Sequence, residues 1–154
     1  MISIKFQIKT IKTEILLCLM LMLSSCQTFT SSPSYPHEAS LVANSFENGL
    51  STEINLDYQT IYFRLRQAYQ YCIAYTDAKN MIFTDNRFEP DLQMGTLFAR
   101  TGEGDYLYKM LVEGLKNGQT RLTLFLPKMH RAAHQRFQQD IRWALAEKSQ
   151  CSAP

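Results

Sequence analysis

His130 and His134 are four residues apart, a spacing that on a helix turns both imidazoles to one face and suits chelation of a metal ion. The segment His130-Arg131-Ala132-Ala133-His134 lacks the glutamate that zinc-hydrolase helices place after the first histidine, and Arg131 would set positive charge beside any bound cation. The expectation is therefore two solvated histidines on a helix surface and no metal site. Acidic neighbours Glu89/Asp91 and Glu103/Asp105 fall in turn-rich stretches. General acid–base chemistry needs carboxylates held at a defined separation in a cleft, which loop neighbours do not provide. No Gly-x-Ser-x-Gly elbow occurs, and Gly102-Glu103-Gly104 sits between strand-like runs rather than before a helix, so it is no phosphate cradle. Neither a catalytic residue nor a cofactor is expected.

Two further groups stand out for binding rather than catalysis. Lys128, Arg131, Arg136 and Arg142 form a basic cluster, interrupted by Asp140 and Glu147, and read as an ordinary solvated helix face. Tyr58, Tyr62, Tyr69, Tyr71 and Tyr75 crowd one segment; Tyr71 and Tyr75 lie off its apolar stripe and are candidates to rim a contact surface. Charge argues against a polyanionic partner. Residues 1–25 hold Lys5, Lys9 and Lys12 against Glu14, and the remainder carries 13 basic and 13 acidic side chains. A neutral domain gives no electrostatic reason to expect nucleic acid.

The elements that would position these residues follow from periodicity. Residues 57–75 place Tyr58, Ile61, Tyr62, Leu65, Ala68, Tyr69 and Cys72 at spacings of three and four, one apolar helical stripe with Asn55 or Asp57 as N-cap. Strand-like runs follow at 80–85, 92–100, 106–113 and 120–127, with hairpin signals at Thr101–Asp105 and at Asn117-Gly118. Residues 129–148 return to helical spacing, with Met129, Ala133, Phe137, Ile141 and Leu145 four apart. The expected fold is α+β in two layers: an N-terminal helix, a three- to four-stranded antiparallel meander and a C-terminal helix, both helices covering one sheet face. The other face carries Thr123 and Phe125 and is either a contact surface or covered by residues 41–53.

The N-terminus has a different character. A lysine-bearing segment, residues 1–12, precedes the apolar run Ile15–Leu23, which is shorter than the roughly 20 residues a bilayer span needs. It ends in Leu23-Ser24-Ser25-Cys26. This arrangement resembles the lipobox of bacterial lipoproteins, which implies removal of residues 1–25 as a signal peptide and lipidation of Cys26. By resemblance to the sorting rule of such proteins, Gln27 after the cysteine implies outer-membrane placement facing the periplasm. Residues 26–51 then read as the lipidated cysteine and a flexible tether, its first part rich in Ser, Thr and Pro, with the folded domain at 52–154. With Cys18 in the signal and Cys26 lipidated, Cys72 and Cys151 are left over, and an oxidising compartment suggests that they form a disulfide.

Together these features describe small proteobacterial outer-membrane lipoproteins by resemblance, with the membrane as one partner through the anchor and an envelope protein as another. The expected role is a non-enzymatic binding or envelope-assembly module. A small envelope enzyme whose site is assembled only by the fold, and a purely structural or stress-related envelope protein, remain open alternatives at this point.

Overall fold

A computed structural model of the 154-residue chain describes residues 33–76, 81–147 and Cys151. The expected signal peptide, Cys26 and the start of the tether lie outside the described residues.

The α+β class holds, with more strand than expected. Helix α1 (Glu38–Ala43) leads to strand β1 (Leu50–Ile54) and helix α2 (Tyr58–Cys72); then come β2 (Tyr75–Thr76), β3 (Met81–Glu89), β4 (Met94–Thr101), β5 (Tyr106–Gly114), β6 (Thr120–Phe125) and helix α3 (Ala133–Ala144). The strands make one six-stranded antiparallel sheet in the order β1-β6-β5-β4-β3-β2. The meander β3–β6 is the expected part. Its hairpins turn at Gly104 (φ +95°) and Gly118 (φ +78°), backbone angles that glycine adopts without strain.

One correction concerns the N-terminal part. Residues 33–51, within the expected tether 26–51, belong to the fold, so the domain starts before residue 52. β1 pairs in register with β6, Leu50 opposite Leu124 and Ile54 opposite Thr120. Leu50 and Ile54 turn to the core and Ser51 and Glu53 to solvent, an alternation too short to stand out in the sequence. The Tyr35 amide and carbonyl both bond Tyr106, at 3.0 and 2.7 Å, so the chain enters the fold alongside the start of β5. Among the described residues there are thus three helices and six strands rather than two helices and at most four strands.

The core lies between one sheet face and helices α2 and α3. Ile61, Tyr62, Leu65 and Tyr69 of α2 pack on Leu97, Met110, Val112, Leu122 and Leu124, and α3 adds Ala133, Phe137, Trp143 and Ala144. Asp57 caps α2 by accepting the Thr60 amide at 2.9 Å, which holds its carboxyl below the ordinary range. The opposite face, bearing Phe98, Lys109 and Phe125, is overlaid by the α1 segment: Glu38 bonds Lys109 at 2.6 Å, and Lys109 lies 5.6 Å over the Phe125 ring. The covering segment starts at Glu38, before the expected 41–53, and within 41–53 Gly49 lies against the Phe125 ring.

Candidate functional site

Only one of the two histidines lies on the helix. α3 begins at Ala133, so His130 lies in the turn before it and the shared face disappears. His134 is exposed and 3.7 Å from the Glu47 carboxylate, with its ring 5.4 Å edge-on to Phe46. His130 is turned inward toward Arg136; burial first, and the Arg136 charge second, push its pKa down. Among the described residues no group of three or more His, Cys, Asp or Glu side chains is placed to hold a metal ion.

The sequence reading of the basic cluster needs correction at Arg136 and Asp140. Neither lies on the expected solvated face. Instead Arg136 bonds Asp140 at 2.7 Å, one helical turn apart, with side-chain exposures of 15% and 0%. The guanidinium is boxed by three aromatic rings, at 4.8 Å from Trp143, 5.1 Å from Tyr108 and 5.5 Å from Tyr69. Burial pushes the Asp140 carboxyl up to about 7, with Arg136 and then the Tyr69 hydroxyl acting in the opposite direction. Burial also drives the Tyr69 and Tyr108 hydroxyls above their ordinary range. Asp140 Oδ2, Arg136 Nε, Trp143 Nε1 and His130 Nδ1 lack a direct hydrogen-bond partner among the described residues. Such a site is costly to bury and sensitive to loss of either charge. It is closed to solvent at Asp140, and what it fixes is the seating of α3 on α2 and β5.

A second cluster reaches the surface. Phe88, near the end of β3, is stacked by Tyr58 at 6.0 Å and by Tyr62 at 4.7 Å, and meets Phe63 at 5.4 Å. Tyr62 is fixed from both sides. Its hydroxyl donates to Asn86 at 3.0 Å, and its ring lies directly over Gly95 of β4, where a Cβ would overlap it. Phe63 stands outermost with 49% of its surface exposed, and Leu92, in the turn after β3, is 63% exposed. A rigid, half-wet aromatic ridge of this kind suits contact with another apolar surface. The sequence reading named Tyr58 and Tyr62 but not Phe63, which lies between stripe positions, nor Phe88.

Tyr71 and Tyr75, the tyrosines expected off the stripe, are 76% and 43% exposed and lie at the opposite end of α2 from Tyr58. Beside them Cys72 and Cys151 stand 1.97 Å apart at the sulfurs, bonding distance, across 79 residues of sequence.

No family model matches the sequence, and no curated protein matches it significantly. No helix among the described residues is long and apolar enough to cross a membrane.

Proposed function

We propose that the protein is a lipid-anchored module of the bacterial envelope that binds a protein partner and carries out no catalysis. The observation that carries this reading is the ridge of Phe63, Phe88 and Tyr58, backed from beneath by the buried Tyr62. It is a preorganised aromatic surface, held by stacking and by the Tyr62–Asn86 bond, that leaves Phe63 half exposed. The partner it fits presents an apolar side chain or helix to that ridge. Anchoring at Cys26 and outer-membrane placement are supported by the Leu23-Ser24-Ser25-Cys26 motif and Gln27. An oxidising location is supported by the Cys72–Cys151 pair. Among the described residues, Asp140, whose carboxyl is raised to about 7, is fully buried, and His130 and His134 do not share a helix face.

The test is crosslinking in living cells followed by mass spectrometry, comparing wild type, Cys26→Ala and Phe63→Ser. The expected result is one envelope protein recovered with the wild type, loss of that partner with Phe63→Ser, and loss of membrane association with Cys26→Ala. Recovery of the same partner from Phe63→Ser at wild-type yield would remove the ridge as the binding surface.

A further inference from the structure

Exposed side chains of apolar or amphipathic character gather at the end of the sheet where the tether joins the fold. Ser34 donates to the Asp105 carboxylate at 3.0 Å, and Tyr35 pairs with Tyr106, so the chain arrives beside the β4–β5 hairpin. Ile82 stands opposite Thr101 in the ladder, and Met81 approaches Gly102 in the same hairpin. Thr76 pairs with Met81 and Tyr75 with Ile82, which brings in the end of α2 with Tyr71 and Cys72. Exposure there is high: Tyr71 76%, Met81 44% and Tyr75 43%. From Tyr35 across to β2 the distance is four strand spacings, roughly 20 Å.

We propose that this end of the domain rests on the membrane leaflet that holds the anchor, with Tyr71, Tyr75 and Met81 seated in the headgroup zone. The inference rests on lipidation of Cys26. From Cys26 to Ser34 there are eight residues, so the entry point lies within about 28 Å of the lipidated cysteine even with the chain fully extended. A tether of that length keeps the entry end near the leaflet, where its exposed side chains are within reach of the headgroups. Tyrosine is favoured at the water–lipid interface because its ring is apolar and its hydroxyl stays wet, and exposed methionine adds a flexible apolar contact. Glu103 and Asp105 stand on the hairpin with Arg100 bonded to the Gly104 carbonyl beside them, so the contact is carried by rings and thioether and not by attraction to anionic headgroups. The ridge at Phe63 and Phe88 belongs to the other end of α2 and β3, and in this orientation it faces away from the membrane toward a partner.

The test uses the full mature lipoprotein in vesicles of phosphatidylethanolamine and phosphatidylglycerol, with and without lipids brominated near the headgroup. Tyr71→Trp and Tyr75→Trp supply reporters at the proposed contact, and Phe63→Trp supplies one at the far end. The buried native Trp143 is the common background. Brominated lipid is expected to quench the reporters at 71 and 75 and to leave the one at 63 unchanged. Equal quenching at all three positions, or none at 71 and 75 in protein that floats with the vesicles, would overturn the inference while leaving anchoring intact. Reporters at 71 and 75 that are shielded from a water-soluble quencher yet untouched by brominated lipid would mean that protein, such as a second copy, covers this end, and would also overturn it. Protein that lacks acyl mass and does not float would overturn the anchoring itself, and this inference with it.

Discussion

Arg136→Met would expose how much the α3 seat depends on a single buried charge pair. Methionine keeps an unbranched stem against Tyr69, Tyr108 and Trp143, so the change isolates the guanidinium from most of the packing. Asp140, fully buried, then loses the bond it accepts at 2.7 Å. Breaking a buried pair from one side typically costs about 3–5 kcal/mol. Proton uptake limits that cost. Burial already holds the Asp140 carboxyl at about 7 against its ordinary 3.8, and Arg136 leads the influences that lower it, so without Arg136 it rises further. The unfolded chain releases the same proton near 3.8. Stability from the neutral carboxyl is thus complete below that value and is lost as pH rises through the raised folded one. The variant is expected to lie near wild type at about pH 4 and about 1.4 kcal/mol below it at about pH 8, because wild type itself loses the same stability as pH rises to about 7. Urea unfolding followed by Trp143 emission, repeated across that range, measures the difference. The double variant Arg136→Met/Asp140→Leu should recover most of the loss at high pH, since an apolar pair replaces a broken ionic one. A single variant within about 0.5 kcal/mol of wild type at high pH, or a double variant as unstable as both singles combined, would refute the reasoning.

Three other outcomes follow from the fold. Cys72→Ser/Cys151→Ser should lower the unfolding free energy by up to about 4.5 kcal/mol in the chain-entropy account, seen as a lower urea midpoint, and wild-type protein denatured without reductant should resist alkylation at both positions. Gly95→Ala should cost about 1–3 kcal/mol, because its Cβ would overlap the Tyr62 ring; near-UV circular dichroism would report displacement of the aromatic stack. Asp57→Ala removes the α2 cap and should cost about 1 kcal/mol at neutral pH. Because the Asp57 carboxyl is held below its ordinary value, that contribution is present above about 3.8 and disappears as pH falls further, so the two proteins should converge in acid.

Where sequence patterning and burial coincided, the fold was readable. The α2 stripe is regular because Ile61, Tyr62, Leu65 and Tyr69 all face one core, and the central meander was marked by its turn residues and by Leu122 and Leu124. The α3 face was misjudged for a geometric reason. Residues at strict four-residue spacing drift by about 40° per step around a helix, so Met129 through Leu145 cannot share one face. Met129 is 79% exposed, outside the helix altogether, and Leu145 is 40% exposed. The buried residues are Ala133, Phe137, Gln139, Asp140, Trp143 and Ala144, with Arg136 largely covered beside them, and the charged Arg136 and Asp140 look like surface residues to any hydrophobic pattern. The one available hint was Trp143 on the same face, a ring with a polar N–H. α1, β1 and β2 are too short for periodicity to mark; β1 gains its form by pairing with the distant β6, and β2 by pairing with its neighbour β3.

The place of β1 bears on the order in which the molecule is assembled. Each pairing within β3–β6 joins neighbours in the chain, and those strands can zip up locally as hairpins. β1 has only β6 beside it, some 70 positions further along, with Ser51 opposite Thr123. Closing a loop of that size costs entropy before any contact offsets it, so the first strand in sequence is expected to be the last to join the sheet. Pulse-labelled hydrogen exchange during refolding should show amides of 106–125 protected before those of 50–54. Until that closure the rim of β6, the apolar run Leu122-Thr123-Leu124-Phe125, is an open template for any passing strand, and the newly made chain is at its most prone to aggregate.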